Sequence, residues 1–297
     1  MTQLLLDPFR LPYMQRALLE VLVLGVLAGA VGVFVVLRRL AFVADALTHT
    51  VFPGVVIASL LGRSLLLGAL AFGVLTAVLL TWLGAERRVG VDAALAILLT
   101  SFFAFGVVLV SRTRTFTADL TVFLFGRVLA VDRADLLQTA MVAVAVLATL
   151  AALRKELVLR AFDPDWATAM GYRTAVLDLA LNLCVALAVV AAVKAVGTIL
   201  VVAMIIVPAA AARLLADRVA TMTALACLLG AAGGWVGLAI SYEVSVDRGI
   251  RLAAGATVVV VLVAMFLVAA ALAPLWRRLA AGLAGRSLAR TPGAQPP

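Results

Sequence analysis

The chemistry-bearing residues of this chain are few and sit close together. Its single histidine, His49, lies in the run Arg38-Arg39-Leu-Ala-Phe-Val-Ala-Asp45-Ala-Leu-Thr48-His49-Thr50-Val-Phe-Pro53-Gly54. Asp45 and His49 are four apart, so on a helix they share one face with Cβ atoms about 5 to 6 Å apart. A carboxylate and an imidazole at that spacing can grip one divalent cation, and Thr48 and Thr50 add hydroxyls nearby. The plainer reading of the same residues is that Asp45 caps a helix N-terminus and His49 hydrogen-bonds a neighbouring helix.

A second polar segment, Arg154 to Arg173, carries helix signals. Asp163 can cap, Pro164 fits a first helical position, and Trp166, Ala167, Met170 and Gly171 fall on one stripe before the glycine ends the turn. Such a short amphipathic helix suits docking of a soluble partner; the alternative is a helix lying on lipid. Pro53, Gly54 and Pro208 are helix breakers inside apolar runs, where they either bend helices along a pathway or serve packing. Asp178 is the other acid read inside an apolar run.

The elements that must position these residues follow from composition. Of 297 residues, 66% are hydrophobic and 13% charged, far from the roughly 45–50% and 25% of soluble domains. Apolar stretches of about 20 residues, enough to cross a hydrocarbon core of about 30 Å, recur along the chain. They predict an all-α polytopic membrane bundle of about nine spans, with eight or ten as the margins. The spans run from Gln15 to Leu37, Ala44 to Leu61, Ser64 to Leu83, Asp92 to Ser111, Asp135 to Leu153, Thr174 to Val193, Gly197 to Leu215, Thr221 to Tyr242 and Arg251 to Ala273. Asp119 to Val131 is apolar but short and reads as an interfacial or re-entrant helix. The first run is too long for a signal-peptide core and is followed by Arg38 and Arg39, so it is expected to be retained.

One membrane domain covers residues 1–284, and residues 285–297 read as a disordered tail. The net charge of +9 lies in the gaps between spans, which points to a membrane surface rather than nucleic acid. The positive-inside bias puts Arg38, Arg87, Arg154, Arg160, Arg213 and Arg277 in the cytoplasm together with the C-terminus, and the N-terminus outside. Cys184 and Cys227 sit in apolar runs and build no disulfide framework. Lys155 and Lys194 are the only lysines, and neither follows a glycine, so the chain holds no phosphate loop. A lone histidine also excludes an H-E-x-x-H metalloprotease.

Three segments together, RRLAFVADALTHTVFPG, AFDPDWATAMG and KAVGTILVVAMIIVPAAAARLL, resemble the membrane permease subunit of the metal-uptake ABC transporters. The likeness runs from about Tyr13 to Arg278, and its most specific element is D-A-L-[ST]-H-x-x-x-P-G, here with Thr48 where serine is usual. The resemblance implies that Asp45 and His49 contact a transported zinc, manganese or iron ion. It also implies that the segment near 162–173, with Asp163, Asp165, Ala167 and Gly171, is a coupling helix docking on a separate ATP-binding subunit. By the same resemblance the chain works as a homodimer in a prokaryotic cytoplasmic membrane, hydrolyses nothing itself, carries no cofactor of its own and receives its ion from an extracytoplasmic metal-binding protein. The competing readings are a gradient-driven secondary metal transporter, which usually carries several mid-span acids, and an ABC permease for siderophores or cobalamin, which needs no Asp45–His49 pair.

Overall fold

The computed structural model describes residues 9, 11–86, 88–111, 126–247 and 252–288. Its elements are α1 (Pro12–Leu37), α2 (Ala41–Thr50), α3 (Phe52–Leu60), α4 (Leu65–Gly84), α5 (Gly90–Ser111), α6 (Arg133–Ala152), α7 (Arg154–Phe162), α8 (Pro164–Ala169), α9 (Thr174–Leu215), α10 (Val219–Asp247) and α11 (Ala254–Leu288). No strand occurs among the described residues. Eight helices are long and apolar enough to cross a membrane, counting α2 and α3 as one.

One of the eight crosses twice. A straight helix of the 42 residues of α9 would be about 63 Å long. Yet Arg213 near its end donates to the Val36 carbonyl at 3.2 Å, while Asp178 near its start pairs with Arg38 at 2.7 Å. Ala188 and Ala192 of the first half line one small cavity with Val201, Met204 and Ile205 of the second. The chain therefore doubles back, and it does so at Gly197, whose φ of 77° and ψ of 164° belong to a region that is essentially glycine-only. With this hairpin the described residues make nine crossings, in agreement with the separate spans expected on either side of Gly197. The break falls there and not at Pro208, which stays within the helical second arm.

Central helices α1 and α9 form the core: 72% of the most apolar window of each is buried, against 22 to 28% in α4, α5, α6 and α11. Small residues bring the backbones together. A Cβ on Gly25 would lie 2.6 Å from the Ala231 nitrogen and one on Gly29 2.7 Å from the Ala226 carbonyl carbon, so α1 and α10 cross at a distance only glycine and alanine permit. Gly54 is used the same way. A Cβ there would collide with the Gly68 carbonyl of α4, which makes it a contact residue and not a free hinge.

One boundary differs from expectation. Residues 285–288, assigned to a disordered tail, are the last turn of α11; the rest of the tail lies outside the described residues. So does most of the short apolar segment from Asp119, whose described part holds a single 3-10 turn, Val128–Ala130.

Candidate functional site

Helix α2 starts one turn earlier than hydropathy placed it. Arg39 adopts a left-handed φ of 57° and turns the chain out of α1, and Leu40 is the N-cap. Asp45 therefore sits inside the helix and caps nothing. The proline at the second position of α3 removes the N–H that would reach the His49 carbonyl, so α2 and α3 part at Val51, immediately beyond the chemistry-bearing turn.

Within α2, Val43, Ala44, Ala46, Leu47, Thr48 and Thr50 are buried. Asp45 and His49 are not: their side chains are 41% and 37% exposed, with His49 Nε2 at 4.0 Å from Asp45 Oδ1. Ligands each about 2.1 Å from a metal can stand at most about 4.2 Å apart, so this separation admits one ion between the two groups. Phe103 of α5 meets the imidazole edge-on at 5.9 Å and limits its rotation. The expected hydroxyls take no part: Thr48 Oγ1 donates to the Asp45 carbonyl at 2.7 Å and Thr50 Oγ1 to the Leu47 carbonyl at 3.3 Å. No group of three or more His, Cys, Asp or Glu converges among the described residues. The pair offers two ligands and leaves the remaining coordination positions open.

The end of the bundle that carries Arg38 holds the second expected site. Asp163 accepts the Trp166 N–H at 2.8 Å and caps α8, with Pro164 at its first position. Gly171 has a φ of 84° with open space about it, so its role is to turn the backbone back toward α9. Ala167 is wholly buried and cannot be a docking contact. The outward surface is formed by Phe162, Asp165, Trp166 and Met170, which are all exposed. Behind this helix, Arg160 of α7 grips Asp178 through Nε at 3.2 Å and Nη2 at 3.0 Å, and Arg38 holds the same carboxylate. Burial lowers the pKa of the Arg38 guanidinium, and the Asp178 carboxylate opposes that shift.

A residue that sequence reading passed over is Glu20. It lies within α1, is completely buried, and accepts the Thr139 hydroxyl at 2.7 Å. Its position among Leu18, Leu19 and Val21 was the available signal.

A sequence model of the ABC 3 transport family matches residues 10–273. The manganese import system permease protein ScaB of Streptococcus gordonii is 38% identical over 267 residues, 90% of this chain and 94% of ScaB. The manganese transport system membrane protein MntC of Listeria monocytogenes is 37% identical over 262 residues, 88% of this chain and 91% of MntC. Among solved structures, PsaBC from Streptococcus pneumoniae in complex with Fab superposes with a TM-score of 0.80 at 34% identity, covering 95% of this chain and 100% of the matched chain. A match over nearly the whole length, on a bundle with the same architecture, establishes that the chain belongs to the ABC 3 transport family.

Proposed function

We propose that this chain is the path by which a divalent transition-metal ion, manganese(II) before iron(II) or zinc(II), crosses the cytoplasmic membrane inward, with Asp45 and His49 as its transit ligands. The observation that carries the reading is the half-exposed pair within the stretch Val43–Thr50, whose other residues are buried. An intraspan acid is costly and needs a reason, and among the described residues Asp45 has neither a cap to make nor an arginine to neutralise it. A transit site must bind well enough to accept the ion and loosely enough to release it. Two ligands per chain serve that need, and a twofold homodimer that sets two α2 helices beside a shared channel supplies two aspartates and two histidines. The names of ScaB and MntC favour manganese, and a mixed carboxylate–imidazole set suits it.

The energy comes from a separate ATP-binding subunit docked on residues 162–173, and an extracytoplasmic binding protein delivers the ion. Proteoliposomes holding the chain with its ATPase should accumulate radioactive manganese(II) on addition of ATP; Asp45→Ala and His49→Ala should abolish accumulation while the complex still assembles. Normal uptake by either variant would overturn the site. ATP-independent uptake driven by an ion gradient would instead support a secondary transporter.

A further inference from the structure

At the end of the bundle opposite Arg38, helices α1, α3, α4, α6 and the first arm of α9 enclose a cavity of about 240 Å³ that Asp45 and His49 do not line. Its walls are mostly apolar, with one polar side made by Glu20, Asp135, Thr139, Lys194 and Arg127. Glu20 is fully buried. One of its oxygens accepts the Thr139 hydroxyl; the other, Oε2, is buried with no hydrogen-bond partner among the described residues. An ionised carboxylate in that position is costly unless a cation sits on it. Asp135 lies one helical turn before Thr139, on the same face of α6, and is paired with Lys194 of α9. The lysine side chain is 49% exposed, so it can withdraw into water without being stranded.

We propose that this cavity is a divalent-cation site in which Glu20 and Asp135 are the carboxylate ligands, Thr139 orients the Glu20 carboxylate, and the Lys194 ammonium holds the place of the ion when the site is empty. Two carboxylates balance one divalent charge. Adding that charge with Lys194 still in place would leave an excess positive charge in an apolar enclosure, so loading expels the lysine. Arg127, also on the wall, is exposed and water screens it. The donors are all oxygen, a set that suits manganese(II) and magnesium(II) better than softer ions. The cavity wall includes Phe52, which packs on Phe103 with ring centroids 5.8 Å apart, and Phe103 in turn packs on His49. The two phenylalanine rings thus link the cavity wall to the proposed transit pair. The cavity's place as a staging site rests on the reading of Asp45 and His49, but its occupancy does not.

The test counts manganese(II) bound to the full-length chain, in complex with its ATPase in lipid nanodiscs, by loss of the free-ion electron paramagnetic resonance signal. The Asp45→Ala/His49→Ala double variant should still hold an ion. Adding Glu20→Gln, which preserves side-chain size, or Asp135→Asn should weaken that binding about tenfold or more, and Lys194→Met should tighten it. Retained binding that neither carboxylate variant changes, or no binding by an assembled double variant, would overturn the site. Weaker binding in Lys194→Met would overturn the placeholder role. If Glu20→Gln fails to assemble, Asp135→Asn and Lys194→Met decide the question. Failure of the transit reading shows separately, as normal uptake by the double variant.

Discussion

Asp45 and Asp178 look alike in the sequence, each an acid within an apolar run, and the structure gives them opposite surroundings. Asp178 is clamped by Arg38 at 2.7 Å and by two bonds from Arg160, with its side chain only 24% exposed. Among the described residues Asp45 has one neighbour of opposite potential charge, a histidine at 4.0 Å, and its side chain is 41% exposed. An acid whose lone pairs are filled by arginines holds helices together; an acid left open has lone pairs that a ligand could take. The two are also mechanically close. Arg38 ends α1, seven residues before Asp45, and Arg160 stands at the stem of α8, so the closed acid ties α8 to the root of the helix that carries the open one.

The strongest way to break this contrast is to remove each acid. Asp45→Ala, Asp45→Asn and His49→Ala should each lower metal uptake about a hundredfold or more while leaving melting within about 0.5 kcal/mol of the parent, as for exposed positions without a structural partner. Asparagine keeps the shape of aspartate without its charge, so retained uptake in Asp45→Asn would mean that the charge itself is not used. Asp178→Ala should do the reverse and cost about 3 kcal/mol of stability, because it leaves two arginines, one of them mostly buried, without their partner. Denaturation of the detergent-solubilised protein reads this directly. The double variant Arg38→Met/Asp178→Leu should recover much of the loss, since replacing both partners with apolar groups removes the desolvation penalty along with the attraction. A full loss in both variants would mean that the triad holds more than the pair.

How much of this could be read beforehand depended on the range of the information needed. The spans follow from local hydropathy, and the split of α9 was legible because Gly197 interrupts an apolar run at the length of one crossing. The shared face of Asp45 and His49 on α2 was legible because spacing of four is a local property. The facing of its threonines was not: which side of α2 meets the core depends on α5 and α9, and both hydroxyls turn back to carbonyls three residues earlier. The burial of Ala167 was hidden for the same reason: Trp166 and Met170 of its stripe face outward while Ala167 alone packs against its own chain. Glu20 escaped because it falls two turns into the first span, where an acid reads as interfacial, and its partner Thr139 is 119 residues away.

A smaller effect sharpens the contrast at the docking end. Gly171→Leu must adopt a left-handed φ, at about 1 to 2 kcal/mol, with no steric clash to add because the space around it is open. The strain should appear as uncoupling, with ATP hydrolysed by the complex but less metal moved per ATP. Gly171→Asn, which tolerates that conformation better, should fall between. Equal coupling in all three proteins would remove the backbone turn from the coupling path.

The smallest effect on the chain itself is expected from Trp166→Ala and Met170→Ala. Both side chains are more than half exposed, at 57% and 58%, and they flank the buried Ala167 on the outer side of α8. The helix keeps its Asp163 cap and Pro164 start, so melting of the isolated chain should change by no more than about 0.5 kcal/mol. The ATPase should nevertheless bind more weakly, by about tenfold for the tryptophan, because exposed aromatic anchors carry a large share of interface energy. Ala167→Asp should behave differently, destabilising the chain by placing an unpaired charge in its interior. Binding measured by surface capture of the solubilised chain separates the two cases. If Trp166→Ala and Met170→Ala leave ATPase affinity unchanged, the exposed face of α8 lies against lipid, and the Arg160–Asp178–Arg38 clamp loses its link to ATP.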